Sequence, residues 1–178
     1  RAVGISGKDG RLMAAEQAKP DGKDIGYVGT VKHVDTKIIY DLLDDDFLPI
    51  IYPIGIGEDG QSFNINGDYA AEAIAEALKA DKLAFLTDTS GVYEDINDED
   101  SFVSELYTDE AKEMIEEGII TGGMIPKVQN CLKAIEGGVN RVHILDGRIP
   151  HCLLLEIFTD RGCGTAIMNP EETRYYNR

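Results

Sequence analysis

The chain has 178 residues, room for one domain or two small lobes that bury roughly 70% of the unfolded surface. Its 17 Lys and Arg stand against 33 Asp and Glu, a formal charge of −16, which argues against nucleic-acid binding because such proteins neutralise phosphates. No run is long and apolar enough to span a membrane, no signal peptide is visible, and Cys131, Cys152 and Cys163 lack zinc-site spacing.

Strands are predicted over residues 2–6, 12–17, 26–31 and 47–54. An amphipathic helix is predicted over 35–45, with Ile38, Ile39, Leu42 and Leu43 on one face. Arg1 is not an initiator, and a strand that opens at Ala2 with no lead-in implies an upstream portion. Asn66 reads as the N-cap of a helix over 67–79. A buried strand follows over 82–87, then an acidic loop over 94–101 and a helix over 108–117 capped by Thr108 and stopped by Gly118. A further helix opens at Pro126, followed by a strand over 141–146, a helix over 150–158 and a strand over 164–168. The tail, 169–178, is polar and expected to be loose. Strands alternating with helices predict an α/β fold with helices on both faces of the sheet.

Two glycine-rich stretches fail as phosphate motifs. Gly55-Ile56-Gly57-Glu58-Asp59-Gly60 has the spacing of a dinucleotide loop but opens no helix, and its acids would repel a pyrophosphate; a hairpin turn is the better reading. Gly4-Ile5-Ser6-Gly7-Lys8-Asp9 has Ala2 where the first glycine belongs and Asp9 where a magnesium-binding hydroxyl belongs. Lys8 is kept only as a weak surface contact. His33, His143 and His151 show no metal-ligand spacing and read as structural.

Three stretches survive. Gly122-Gly123-Met124-Ile125-Pro126-Lys127 joins paired glycines to a helix whose first residue is read as Pro126, where a missing N–H costs nothing. Open backbone, a helix N-terminus and Lys127 together favour a phosphate in front of the loop. A solvated lysine is the ordinary alternative. Asn64-Ile65-Asn66-Gly67-Asp68 lies at a strand-to-helix junction, where open α/β sheets place ligands; helix capping by Asn66 and Asp68 explains the same letters. Leu86-Thr87-Asp88-Thr89-Ser90-Gly91-Val92-Tyr93 ends a strand in a polar turn, a nucleotide-contact position or an ordinary loop.

These three stretches occur in the order seen in the amino-acid kinase family. Val142-His143-Ile144-Leu145-Asp146-Gly147-Arg148-Ile149-Pro150-His151 and Glu156-Ile157-Phe158-Thr159-Asp160-Arg161-Gly162-Cys163-Gly164-Thr165 also resemble it. The resemblance covers nearly the whole chain to Met168 and corresponds to the carboxyl-terminal part of the branch that phosphorylates N-acetylglutamate. It implies a three-layer αβα sandwich with a mainly parallel central sheet. Residues 1–80 would be the second half of the acceptor lobe, 81–168 the ATP lobe and 169–178 a tail.

The resemblance further implies transfer of the ATP γ-phosphoryl to the side-chain carboxylate of N-acetyl-L-glutamate, in arginine biosynthesis. Asn64, with Asn66, would hold the acceptor; Asp68 would position the catalytic lysines, and Lys127 would stabilise the phosphoryl group in flight. Thr87, Asp88, Ser90, Gly91, Val92 and Tyr93 would hold ATP, together with Ile119, Ile120, Thr121, Gly122, Gly123 and Met124. Mg²⁺ would arrive on the nucleotide, without a protein metal site. A cytoplasmic location and a homo-oligomer in the full-length form are expected. The family's upstream glycine-rich loop, second lysine and arginine-bearing lid are not in these 178 residues, so the chain's own activity is in doubt. A non-catalytic nucleotide-binding module and a glutamate 5-kinase-like enzyme are the alternatives.

Overall fold

Alternation of apolar and polar residues sets the strands, and short polar turns cut them apart. The computed structural model describes residues 1–159 and 162–172; the end of the predicted tail and residues 160 and 161 lie outside the described residues. Two compact units divide between Leu78 and Lys79.

The first unit contains β1 (Ala2–Ser6), β2 (Met13–Gln17), β3 (Gly29–Val34), α1 (Lys37–Asp44), β4 (Leu48–Tyr52), β5 (Ile54–Ile56), β6 (Ser62–Asn64) and α2 (Gly67–Leu78). β1 and β4 pair in parallel, and a four-stranded sheet has the order β3-β2-β5-β6. The strand predicted over 47–54 is two strands broken at Pro53, which has no N–H to give to a ladder. Its successor runs into an antiparallel hairpin, Ile54 opposite Asn64. Gly57 N–H donates to the Gln61 carbonyl at 2.8 Å and Gly60 takes φ +86°, so the rejected dinucleotide loop is a hairpin turn, as expected. The third strand begins at Gly29, three residues later than predicted. Met13, Ala15, Phe63, Ile65 and Ala70 form one core cluster, and Ile5, Leu12, Val34 and Ile39 form another.

The second unit contains β7 (Lys82–Thr87), β8 (Val92–Tyr93), β9 (Phe102–Val103), β10 (Glu105–Tyr107), α3 (Thr108–Glu116), α4 (Met124–Glu136), β11 (Arg141–Asp146), α5 (Cys152–Phe158) and β12 (Gly164–Met168). Its sheet has the order β10-β12-β11-β7, with β10/β12 and β11/β7 parallel and β11/β12 antiparallel. Every residue of β11 and β12 is buried, the signature of strands covered on both faces. Helices α3 and α4 contact β12, while α4 and α5 contact β11. β8 lies in the polar turn expected over 86–93, and β9 and β10 lie within 102–107, where no element is predicted. They are too short to show alternation.

The cap of α3 is Tyr107, not Thr108: the Tyr107 N–H donates to Glu110 Oε2 at 2.7 Å, and Thr108 is already helical. Gly118 ends the helix as expected, at φ +74°. A buried hydrogen-bonded knot ties the sheet to α5. Glu156 Oε1 lies 2.8 Å from His143 Nδ1, and Glu156 Oε2 accepts from the N–H groups of Cys163 and Gly164 at 2.7 and 3.1 Å. Burial pushes the Glu156 carboxyl up, but these hydrogen bonds outweigh it and hold the group below its ordinary value.

Candidate functional site

The phosphate-loop stretch takes its shape from Gly122, which adopts φ +57°, a left-handed conformation that most side chains avoid. Open space lies where a Cβ would sit on Gly122 or Gly123, so a ligand can approach the backbone there. Helix α4 starts earlier than predicted. Gly123 is its N-cap and Met124 its first residue, which places Pro126 third rather than first. Proline is still tolerated because the first-turn N–H groups have no intrahelical partner. The shift has a chemical consequence. Met124 and Ile125 donate back to the Thr121 and Gly122 carbonyls at 3.2 and 3.3 Å, so those two N–H groups are not free for an anion. The Lys127 side chain makes no ion pair or hydrogen bond among the described residues, and it places a positive charge in the first turn of α4.

The second stretch begins where β7 ends. Thr87 Oγ1 accepts from the Thr89 N–H at 3.0 Å and lies 2.8 Å from Thr89 Oγ1, closing a tight turn. Gly91 follows at φ +138°. Thr165 on β12 then fastens the loop: its Oγ1 accepts from the Val92 N–H at 2.8 Å and donates to the Val103 carbonyl at 2.6 Å. In the sequence Thr165 is only part of the family resemblance, with no role of its own. Nothing in its sequence spacing announces a contact 73 residues away.

These two stretches meet. A cavity of about 530 Å³ is lined by residues 88–93 of the loop after β7. Ile119, Ile120, Thr121, Gly123, Met124 and Lys127 line it as well. Its size falls in the range of small-molecule sites. Thr87 and Gly122 shape the loops without lining the space. The sequence missed Ile96, Glu99 and Arg148, which also line it. Arg148 is held by a fork to Asp146, with Nε to Oδ1 at 2.9 Å and Nη2 to Oδ2 at 2.8 Å. Those side-chain bonds, then the one from the Arg148 backbone, hold the Asp146 carboxyl down to about 2.

The acceptor stretch lies in the first unit. Asn64 closes β6, with its N–H donating to the Tyr27 carbonyl at 2.8 Å and its side chain exposed. Asn66 caps α2: its Oδ1 accepts from the Asp68 and Tyr69 N–H groups at 2.9 and 3.4 Å. That leaves its Nδ2 as the polar atom still available. Asp68 sits half-buried in the first turn of α2. Among the described residues no group of three His, Cys, Asp or Glu is placed to hold a metal, and no helix is long and apolar enough to cross a membrane.

Loops at strand ends, a glycine-opened helix and a lysine meet at one cavity on an α/β scaffold. The chain belongs to the Amino acid kinase family, whose pattern matches residues 1–146. Within the family it is similar to the acetylglutamate kinase of Syntrophomonas wolfei, at 52% identity over 95% of this chain and 58% of that protein. The acetylglutamate kinase of Heliobacterium modesticaldum is 49% identical over 94% of this chain and 60% of its own length. The chain thus spans a little over half the length of these curated relatives. Among solved structures, N-acetylglutamate synthase from Neisseria gonorrhoeae, complexed with coenzyme A and N-acetyl-glutamate, superposes with a TM-score of 0.81 at 30% identity. It is covered over 38% of its length and this chain over 96%. Giardia carbamate kinase, at 22% identity over 79% of this chain and 48% of its own, with a TM-score of 0.58, shares the fold.

Proposed function

We propose that this chain carries the nucleotide lobe, and part of the acceptor lobe, of an ATP-dependent kinase acting on the side-chain carboxylate of N-acetyl-L-glutamate. The observation that carries the reading is that the loop after β7 and the 123–127 segment line one cavity, with the Lys127 side chain unpaired among the described residues. Phosphoryl transfer asks for positioning and charge neutralisation more than for a strong base. The attacking carboxylate is ionised at neutral pH, so no histidine base is required. Mg²⁺ carried by the nucleotide would neutralise part of its phosphate charge.

In this reading residues 81–168 hold ATP, with Lys127 stabilising the transferring group, and residues 1–80 hold the acceptor. Asn64 can both donate to and accept from an amino-acid derivative. Asn66 contributes chiefly by capping α2, and Asp68 orients a lysine. The working form is a cytoplasmic homo-oligomer. A second reading is a nucleotide-binding module without turnover, which the same cavity would serve.

The test is ADP release, coupled to a spectrophotometric readout, with N-acetylglutamate and with glutamate as acceptors, beside calorimetry with a non-hydrolysable Mg–ATP analogue. Release that depends on N-acetylglutamate supports the kinase. Analogue binding without release supports the module. Faster release with glutamate would instead assign the chain to the glutamate 5-kinase type, and a folded protein that binds no nucleotide would overturn all three.

A further inference from the structure

Strands β11 and β7 run in parallel and finish side by side, with Asp146 opposite Thr87. The Gly147 N–H donates to the Thr87 carbonyl at 2.8 Å. The loop after β11 therefore begins against the loop after β7, at the edge where parallel sheets present ligands. This pairing carries Arg148 into the cavity wall.

The Arg148 side chain is two-thirds exposed, at 66%, while its partner Asp146 is 7% exposed. The fork to Asp146 uses Nε and one Nη2 hydrogen, and the Arg148 backbone N–H adds a third bond to Oδ1 at 2.9 Å. A guanidinium has five N–H donors. The remaining three, two on Nη1 and one on Nη2, sit on the edge turned away from the carboxylate. The cavity lining contains two acids, Asp88 and Glu99, and two cations, Lys127 and Arg148. Without Arg148 the lining would be net negative, in a chain that already carries −16.

We propose that Arg148, preset by Asp146, is a second cationic contact for the polyphosphate of the nucleotide bound in this cavity, beside Lys127. The proposal rests on the nucleotide reading of the cavity. A planar guanidinium recognises phosphate oxygens two at a time, and a fork already fixed at one edge loses little freedom when the other edge binds. Asp146 acts through Arg148 and is a positioning residue.

The test is calorimetric titration of the full 178-residue chain, and of Arg148→Gln and Arg148→Lys, with a non-hydrolysable Mg–ATP analogue, Mg–ADP and adenosine. Arg148→Gln is expected to weaken the triphosphate about ten-fold or more and to leave adenosine unchanged. Arg148→Lys keeps the charge without the fork and should recover part of the loss. In the wild-type chain, phenylglyoxal modification of Arg148, read by peptide mass, should be slowed by the Mg–ATP analogue and not by adenosine; this arm needs no variant to fold. Equal triphosphate affinity in wild type and Arg148→Gln, or no selective protection, overturns the proposal and leaves the cavity reading standing. An equal loss for adenosine and triphosphate overturns it too, because Arg148 would then only support the loop. A folded wild type that binds no nucleotide overturns both readings.

Discussion

Lys127 and Asn64 are both polar groups with unused bonding capacity, and their chemistry differs. Lys127 stands in a cavity wall as a full charge without a partner among the described residues. In the proposed reading it would act as charge redistributes in the transition state, so Lys127→Ala should depress kcat by about 10²–10³. The KM for N-acetylglutamate should change far less. Steady-state kinetics on an active form of the enzyme checks this, and near-normal kcat would mark Lys127 as a surface residue. In the proposed reading Asn64 would offer an uncharged amide to a charged ligand. Asn64→Ala should weaken acceptor binding by roughly ten- to a hundred-fold while ATP affinity holds, since one such hydrogen bond contributes on the order of 1.5–3 kcal/mol. Separate titrations with the two substrates decide it; equal losses would make Asn64 a support of the fold. Cys163 is a third case. Burial, then the Glu156 charge, pushes its thiol above the ordinary value, which makes it a slow nucleophile at neutral pH.

At the scale of elements, the site depends on how loops are pinned. Gly91 takes φ +138°, and a Cβ there would lie 2.5 Å from Thr165 Oγ1 and 2.9 Å from Phe102. Gly91→Ala is therefore expected to cost about 1–3 kcal/mol in backbone strain alone. It should weaken nucleotide binding as well, because Thr165 holds the loop through Val92. Thr165→Val leaves two backbone groups without their hydroxyl partner and should cost a similar amount, about 1–3 kcal/mol. Thermal melts with and without the Mg–ATP analogue separate the two effects. A variant that melts normally and binds normally would mean the loop is pinned elsewhere. The start of α4 shows the same dependence on context. Glycine, glycine and proline announce a helix boundary, but whether it falls at Met124 or Pro126 is set by which carbonyls the first N–H groups can reach.

At the scale of the molecule, acid should act on the second unit through Glu156. Its folded pKa lies below its ordinary 4.5, so the stability it contributes is present above that value and is lost as pH falls through the depressed one. Melts between pH 7 and 3 should show the wild type losing stability below about 4.5, and Glu156→Gln, less stable at neutral pH, should respond less to acid. An identical pH response in the two would remove Glu156 from the account. Apolar side chains also stand in solvent on β4, at Leu48, Ile50 and Tyr52, and on α5, at Leu154, Ile157 and Phe158. Such clusters promote association. Ile50→Lys with Phe158→Lys should raise the concentration at which light scattering appears, and no change would show that these side chains do not drive it.

Much of this was legible in the letters. Strands 2–6, 82–87, 141–146 and 164–168 fall where alternation or an unbroken apolar run put them, and Asn66 and Gly118 punctuate helices by their own chemistry. The glycines and Lys127 could be read as an open, positively charged loop because backbone freedom and charge are properties of the residues themselves. Short strands such as β8, β9 and β10 carry no periodicity and exist only through their partners. The helix N–H groups that turn back to Thr121 and Gly122, the hydroxyl of Thr165 and the fork that aims Arg148 were decided by the tertiary structure. Each joins groups whose separation is fixed by strand register or turn geometry, and a hydrogen bond depends on that distance, which sequence spacing does not encode.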